Sequence, residues 1–307
     1  MKKHIFLTGP TASGKTAIGI ALAERLGAEI VSMDSMAVYR GMEIGTAAPS
    51  AIERERIPHH LVAFLEPTEE YSVAEYLQDA ETAVNEILSR KKRVLFVGGT
   101  PLYLKTLLRG LFEGPPADPM IRRLLLDKMA RKGKDWLYEK LRQIDPKAAG
   151  KLHPNDTRRL IRAIEVYETT GRAISDWQQQ FDRPVPREDC RVFVLDRPRQ
   201  ILYDRIDRRV DQMFEQGLLD EAGQLWSLLE PFPKATARQA VGFRELFDHL
   251  AGLTTLAEAV TAIKRHTRQF AKRQMTWFRS LEECRFLAAD EFGETESLVN
   301  YLFKEIG

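Results

Sequence analysis

The chain has 307 residues, of which 44% are hydrophobic and 29% are charged, and its formal net charge is +2. This composition is typical of a soluble globular protein. Cys190 and Cys284 lie far apart beside apolar residues, which favours buried free thiols over a disulfide or a metal pair. No apolar run approaches the length that spans a membrane and no signal peptide is indicated, so we expect a cytoplasmic protein without a membrane partner.

The first predicted elements enclose a glycine-rich loop. A short apolar run at 5–7 is followed by Gly9-Pro10-Thr11-Ala12-Ser13-Gly14-Lys15-Thr16 and then by a helical pattern to Leu26. In this strand–loop–helix context the spacing G-x-x-x-x-G-K-[ST] indicates a phosphate-binding loop, or P-loop. We expect its N–H groups and Lys15 to hold a polyphosphate, and the Thr16 hydroxyl to bind a magnesium ion that bridges the phosphates. What the phosphates are attached to remains open.

Strands and helices alternate along the next part of the chain. Residues 29–33 and 94–97 are predicted as buried strands, separated by a long helix at 72–92 with a capping box at its start. A short strand is predicted at 61–65, whereas residues 36–60 show no period and are predicted to form a functional loop. A further helix follows the strand at 94–97. This alternation indicates a parallel α/β sheet.

The alternation stops at a proline-rich stretch, residues 114–119. From Met120 to Phe181 the pattern predicts helices alone, including 121–131, 136–144 and 158–170, and a second proline-rich stretch follows at 183–186. A strand is predicted again at 191–195, and the remainder is mainly helical, including 199–214, 238–250 and 255–281.

From this order of elements we predict the fold class and the domains. The fold class is α/β, a P-loop NTPase-like parallel sheet with flanking helices and an inserted all-helical domain. Residues 1–112 and 188–307 would form the P-loop core, and residues 113–187 the insertion.

Two strand ends carry candidate catalytic residues. P-loop NTPases normally place an Asp at the end of a second apolar strand, but the strand at 94–97 ends in Gly98-Gly99-Thr100. Asp34 is the strand-end carboxylate that the pattern offers, and strand ends line the ligand crevice of such sheets. Asp34 has two alternative interpretations. It could stabilise a turn or orient a magnesium ion, or it could act as a general base. Thr100, which precedes Pro101, is favoured as a helix N-cap, a role compatible with ligand contact.

Basic residues form two further patterns. Three arginines recur at helical spacing among acidic residues: Arg205, Arg208 and Arg209. This pattern favours a solvated helix face with ion pairs over arginines that bind the diphosphate leaving group of a transfer reaction. Residues 259–281 contain six Lys or Arg and no acid, with Trp277 and Phe278 inside the run. Together with the cluster at 158–162, this pattern fits a nucleic-acid backbone as well as it fits a solvated face.

One detail of the same basic helix concerns its opposite side. Thr267 and Gln274 interrupt an apolar stripe, so this helix is predicted to present polar groups inward.

The motifs together resemble one family. The chain is similar to the bacterial tRNA dimethylallyltransferases (tRNA isopentenyltransferases, the IPP transferase family) over almost its whole length. The matching stretches are 9–16, 34–41, 44–47, 97–103, 155–165, 240–245 and 267–279. The first stretch alone is generic, whereas the set in this order is specific.

The resemblance implies an activity. It implies transfer of a dimethylallyl group from dimethylallyl diphosphate to N6 of the adenine at tRNA position 37, in tRNAs that read codons beginning with U. The products would be N6-dimethylallyladenosine and diphosphate. Mg²⁺ would be the cofactor, the anticodon stem-loop the part of the tRNA bound, and the adenine would be flipped out to react. We expect a monomer, since nothing in the sequence indicates an obligate interface.

The resemblance also implies roles for residues. The P-loop, Gly9 to Thr16, would hold the diphosphate of the donor, Asp34 would be the general base, and Thr100 and Arg209 would act at the transfer site. The residues that the resemblance implies in tRNA contact are Asp34, Ser35, Met36, Ala37, Thr100, Arg122, Thr157, Arg158, Arg159, Leu160 and Ile161. To these we add three residues of the basic helix, Arg268, Lys272 and Arg273, as predicted tRNA contacts.

Two other functions use the same loop. A P-loop small-molecule kinase would bind ATP there, although the missing carboxylate after 94–97 weakly disfavours it. A nucleotide-dependent RNA-binding protein without prenyl transfer would not need an acid at Asp34.

Overall fold

The computed structural model describes residues 4–111, 114–178, 184 and 190–307. It divides into two compact units, one formed by residues 1–108 and 185–307 and the other by residues 109–184. The predicted domain limits at 112–113 and 187–188 lie outside the described residues and stay predictions. The end of the predicted helical region at Phe181, and residues 183, 185 and 186 of the second proline-rich stretch, also lie outside them.

The first unit, here called the α/β unit, contains a six-stranded sheet. Its elements in chain order are β1 (Ile5–Thr8), α1 (Lys15–Leu26), β2 (Ala28–Ser32), α2 (Glu43–Thr46), α3 (Ala51–Arg56), β3 (His59–His60), α4 (Val73–Ser89), β4 (Arg93–Gly98) and α5 (Pro101–Arg109). The helices of the second unit come next in the chain. The α/β unit then continues with β5 (Arg191–Asp196), α11 (Arg199–Glu215), α12 (Leu218–Leu229), α13 (Phe243–Leu250), α14 (Leu256–Arg279), β6 (Cys284–Ala288) and α15 (Thr295–Ile306). The strand order is β3-β2-β4-β1-β5-β6 and every pairing is parallel, which confirms the predicted fold class.

The central strands of the sheet are buried on both faces, as is usual for parallel sheets. All residues of β1 and β2 are buried, because helices cover each side. On one face Phe6 stacks on Phe96 at 4.9 Å between ring centroids, beneath α4, α5 and the last turns of α14. On the other face Leu22 of α1 packs with Leu302 of α15.

The structure corrects two predictions near the third strand. The strand predicted at 61–65 is wrong, because Leu61 and Ala63 have φ of 62° and 48°, in the left-handed region that strands exclude. The neighbouring pair His59–His60 forms β3 instead. The predicted loop at 36–60 is also more ordered than expected, since it contains the short helices α2 and α3.

Two further differences lie in the last third of the chain. The helix predicted at 238–250 begins only at Phe243, because Gly242 has φ of 104° and interrupts it, with a 3-10 turn at Thr236–Gln239 upstream. The strand β6 was not predicted. It lies at the sheet edge, where Phe286 is 36% exposed, so its pattern lacks the continuous apolar run of the central strands.

The second unit, here called the helical unit, contains α6 (Pro119–Lys132), α7 (Asp135–Ile144), α8 (Pro146–Ala149), α9 (Thr157–Thr170) and α10 (Ile174–Trp177). The three helices predicted in this region are confirmed within a few residues. Asp118 caps α6 ahead of Pro119, and Gly171 closes α9 with φ of 69°. The unit has its own core, in which Leu141 and Ile164 are fully buried.

Within the described part of the chain, none of the helices is both long and apolar enough to cross a membrane.

Candidate active site at the carboxyl edge of the sheet

The parallel arrangement brings the ends of several strands to one edge of the α/β unit. The P-loop leaves β1 there, Asp34 follows β2, and Gly99 and Thr100 follow β4. Hydrogen bonds join the last two segments: the Thr100 N–H donates to the Met33 carbonyl at 3.0 Å, and the Ser35 N–H donates to Thr100 Oγ1 at 3.1 Å. The sequence-predicted catalytic residues Asp34 and Thr100 therefore lie side by side.

The backbone of the P-loop has the conformation that a phosphate cradle needs. Gly9, Ala12 and Gly14 have φ of 151°, 61° and 97°, and a Cβ at Gly9 would lie 2.8 Å from the Leu195 carbonyl oxygen. Gly9 is thus required by conformation and by space, and Gly14 by conformation.

Arginines from α11 and the segment before it hold the outer side of this loop. Arg205 Nε donates to the Ala12 carbonyl at 2.8 Å, and Arg197 Nε donates to the Ser13 carbonyl at 2.7 Å. The C=O and N–H of a trans peptide point in opposite directions, so the Gly14 N–H points away from Arg197. Arg205, predicted as part of a solvated face, instead positions the P-loop.

Positive charge is concentrated at the centre of the site. Burial lowers the pKa of Lys15 to about 8, with a further decrease from the Arg209 guanidinium that the Asp34 carboxylate partly opposes. Burial likewise lowers the pKa of Arg209, and Asp34 again opposes the shift. Arg209 reaches Thr11 Oγ1 of the P-loop at 3.5 Å. Two poorly solvated cations facing a phosphate-type loop make this a site for an anion.

Asp34 uses one of its oxygens in the local fold. Its Oδ1 accepts the N–H groups of Met36 and Ala37 at 2.9 and 3.3 Å, the pattern of an Asx turn. Its Oδ2 takes no part in either bond. The turn role and the general-base role, which the sequence left open, are therefore compatible in this geometry.

Thr100 has a partner that its cap prediction did not foresee. Pro101 is the first residue of α5, as predicted, but the Thr100 hydroxyl accepts the Ser35 N–H, which belongs to the segment after β2. Thr100 thus joins two strand ends. The Ala37 side chain is buried, whereas Ser35 and Met36 are half-buried.

Gln274 on α14 belongs to the site but was not among the predicted site residues. Its side chain is buried, with Oε1 accepting the Thr11 N–H at 2.9 Å and Nε2 donating to the Gly99 carbonyl at 2.6 Å. The signal in the sequence was the interruption of the apolar stripe, and the predicted inward polar group is confirmed at this position.

A second strand-end carboxylate corrects the sequence analysis. Asp196 is the last residue of β5, beside β1 in the sheet. Its Oδ1 accepts the Arg197 N–H at 2.9 Å and its Oδ2 lies 3.7 Å from Arg279, so both oxygens have partners. Asp34 is therefore not alone at this edge.

The outer side of α14 presents the predicted basic residues. Lys272 and Arg273 are exposed, and the Arg273 guanidinium lies 6.0 Å from the Phe270 ring centroid. Arg268 is half-buried and pairs with Asp207 of α11 at 3.1 Å. Trp277 is 38% exposed, so an aromatic surface accompanies the charges.

In the helical unit the predicted tRNA contacts separate into two groups. Arg158 and Arg159 are exposed at the start of α9 and Thr157 is half-buried, whereas Leu160 and Ile161 are buried in the core of the unit. The contact role of the Leu160 and Ile161 side chains is therefore revised to packing.

Arg122 has a buried partner in the same unit. Its Nε donates to Glu165 Oε1 at 2.9 Å, and Arg162 donates to Glu165 Oε2 at 2.7 Å. Burial by itself raises the pKa of the Glu165 carboxyl. The hydrogen bonds from Arg122, Arg162 and the Asp118 N–H outweigh this effect, so the pKa lies below its usual value. Arg122 remains 42% exposed, so one face is still accessible.

The residues present fit a magnesium ion bound mainly through phosphate. No cluster of three or more His, Cys, Asp or Glu that could hold a metal occurs among the described residues. Mg²⁺ is commonly held by one or two protein oxygens together with substrate phosphates, and the Thr16 hydroxyl at the start of α1 is such an oxygen.

Comparisons with known proteins show which proteins this chain is similar to. The sequence model of the family described as IPP transferase matches residues 37–281, and that described as isopentenyl transferase matches residues 2–64. The tRNA dimethylallyltransferase of Rhodopirellula baltica is 45% identical over 295 residues, which cover 94% of this chain and 88% of that protein.

Two solved structures are similar over most of the chain. The tRNA isopentenylpyrophosphate transferase of Bacillus halodurans is 38% identical, with a TM-score of 0.71 and coverage of 100% of this chain and 97% of that one. A eukaryotic dimethylallyltransferase acting on tRNA is 32% identical, with a TM-score of 0.77 and coverage of 91% and 70% respectively.

Proposed function

The chain belongs to the tRNA dimethylallyltransferase family, and from that premise we propose how its residues perform the transfer. The donor is dimethylallyl diphosphate, and the acceptor is N6 of the adenine at position 37 of tRNAs that read codons beginning with U. One observation carries this proposal: the P-loop, Lys15 and Arg209 meet the carboxylate of Asp34 at a single edge of the sheet.

The P-loop and its cations bind the leaving group. When the allylic C–O bond breaks, its electron pair goes to the diphosphate, whose negative charge increases. N–H groups of the loop, Lys15 and Arg209 stabilise that charge as it develops. Magnesium, held by Thr16 and the phosphates, would neutralise part of the same charge when bound.

Asp34 serves the acceptor. The N6 lone pair forms the new C–N bond, and the proton that N6 then releases passes to the carboxylate. The Asx turn through Oδ1 fixes the position of this carboxylate and leaves Oδ2 for the proton. Thr100, bonded to the Ser35 N–H, keeps the base beside the end of β4.

Exposed basic residues bind the tRNA backbone. In the α/β unit these are Lys272 and Arg273, together with the half-buried Arg268 beside its ion pair with Asp207. In the helical unit they are Arg158, Arg159 and the open face of Arg122. The segment 34–37 approaches the adenine, which must leave the stacked anticodon loop to reach a buried allylic carbon. Thr157, the first residue of α9, adds a polar contact to the tRNA beside Arg158 and Arg159. We propose that the chain acts as a monomer in the cytoplasm.

One experiment separates this function from ATP chemistry. The protein with Mg²⁺ is incubated with labelled dimethylallyl diphosphate and unmodified tRNA, and in parallel with γ-labelled ATP. We expect label in the tRNA at the adenine beside the anticodon. Release of phosphate from ATP with no label in tRNA would instead favour a kinase-type or nucleotide-switch protein.

A further inference from the structure

The side chain of Gln274 makes two hydrogen bonds that neither the family motifs nor the proposed roles explain. It is 4% exposed, so leaving its amide or its two partners unpaired would be costly. An N–H faces Oε1 and a carbonyl faces Nε2, so the two partners fix the orientation of the amide.

The contact at Gly99 has no spare room. A Cβ at this position would lie 2.7 Å from Gln274 Nε2, 3.3 Å from the Gly9 carbonyl oxygen and 3.4 Å from Lys15 Cε. The P-loop, the end of β4 and α14 therefore meet at one point. A glycine here permits Gln274 to reach the Gly99 carbonyl.

The two partners of Gln274 belong to different halves of the site. Thr11 is part of the loop that holds the donor, and Gly99 directly precedes Thr100, which binds the segment that carries Asp34. One rigid, buried amide thus spans the leaving-group side and the acceptor side.

We propose that Gln274 is a positioning residue that sets the distance between the diphosphate cradle and the acceptor side of the site. It touches neither reacting atom. It acts through Thr11 and Gly99, and the inference rests on the proposed function for the meaning of those two sides.

The test is a double-mutant cycle between Gln274→Ala and Gly99→Ala. The first substitution removes both bonds, and the second displaces the amide by occupying its space. Each single variant should lower kcat/KM for dimethylallyl diphosphate by about tenfold or more, with tRNA affinity unchanged within about twofold. The double variant should be about as active as the weaker single variant, because both changes remove the same pair of hydrogen bonds.

Two further variants sharpen the cycle. Gln274→Glu keeps an acceptor for the Thr11 N–H but places a second acceptor against the Gly99 carbonyl oxygen. This variant should therefore also lower kcat/KM for dimethylallyl diphosphate by at least about tenfold. The control is Gln78→Ala, which makes the same Gln-to-Ala change at an exposed position of α4. It should have the wild-type kcat/KM for dimethylallyl diphosphate.

Direct binding of magnesium diphosphate and thermal unfolding complete the measurement. Weaker diphosphate binding with unchanged tRNA affinity supports the inference. Wild-type kcat/KM in Gln274→Ala, losses that multiply in the double variant, or equal losses of donor and tRNA affinity with a lower Tm would each overturn it. If the unmodified chain transfers no label, the proposed function fails, and diphosphate affinity in the same variants still decides whether Gln274 holds the P-loop.

Discussion

The two oxygens of Asp34 allow its structural role to be separated from its proposed chemical one. Asparagine keeps an Oδ1 that can accept the Met36 and Ala37 N–H groups but removes the basic oxygen. Asp34→Asn should therefore bind tRNA normally and lose roughly 10²- to 10⁴-fold in the single-turnover rate, the usual contribution of a general base.

The matched control for that variant is Asp248→Asn, an acid-to-amide change at an exposed position of α13. It should transfer at the wild-type rate. A normal rate in Asp34→Asn would restrict Asp34 to its turn role.

The pKa of Lys15 predicts how diphosphate affinity depends on pH. Burial lowers this pKa to about 8, so in the free protein Lys15 carries its charge below that pH and loses it above. A bound anion favours the charged form, so binding takes up a proton at high pH. Affinity for magnesium diphosphate should be flat below about pH 7 and weaken as pH rises through 8.

Lys15→Arg isolates this effect, since arginine stays charged over the same range. Calorimetric titrations of both proteins between pH 6.5 and 9.5 would cancel the protonation of the diphosphate itself. Parallel pH curves for the two proteins would contradict the assignment to Lys15.

The sequence contained the residues of the site but only part of their relations. The P-loop was predictable because its glycine spacing fixes a backbone conformation, and Asp34 because it follows a buried strand. The role of Gln274 was not, because its partners Thr11 and Gly99 are more than 170 positions away and pair with it only after α14 packs on the sheet. Leu160 and Ile161 show the converse, since a motif match does not reveal which side chains face the core.

Among the elements, α14 has two sides with different tasks. Gln274 faces the P-loop, and Lys272 and Arg273 face solvent. Lys272→Ala/Arg273→Ala should weaken tRNA binding and reduce the slope of log affinity against log salt by about one for each phosphate that the protein no longer neutralises.

Lys92→Ala/Arg93→Ala provides the matched control for this pair. It removes the same two charges from exposed positions at the start of β4, the opposite end of that strand from the site. Filter binding across a range of salt concentrations would measure both slopes. Equal slopes for the two double variants would remove α14 from the RNA surface.

Elements with a strong local sequence pattern were predicted well. Elements that form only through pairing with a neighbouring strand were predicted poorly. The central strand β4 and the capped helix α4 have apolar runs and caps that are visible locally. The edge strand β6 is held by pairing with β5, from Val192 with Cys284 to Asp196 with Ala288, and local sequence does not encode that pairing. The two-residue strand β3 depends in the same way on β2.

At the scale of the whole molecule, the two units have separate cores, and Glu165 shows what that separation implies. Its carboxylate is fully buried and joins Arg122, Arg162 and the Asp118 N–H within the helical unit. Glu165→Gln keeps the shape but removes the charge that pairs with both guanidinium groups. We expect it to lower the free energy of opening of the helical unit by about 2 kcal/mol, the value of a hydrogen bond to a charged group.

Hydrogen exchange resolves this change by region. Amides within 114–178 that exchange through opening of the helical unit should lose protection, while those of β1, β4 and β5, and the affinity for magnesium diphosphate, should stay unchanged, because the P-loop belongs to the other unit. Glu168→Gln, on the same helix but 42% exposed and paired with Lys140, should cost less than about 0.5 kcal/mol. Loss of protection in both units on Glu165→Gln would mean that the chain unfolds as one cooperative body, and the donor site would then depend on the integrity of the helical unit.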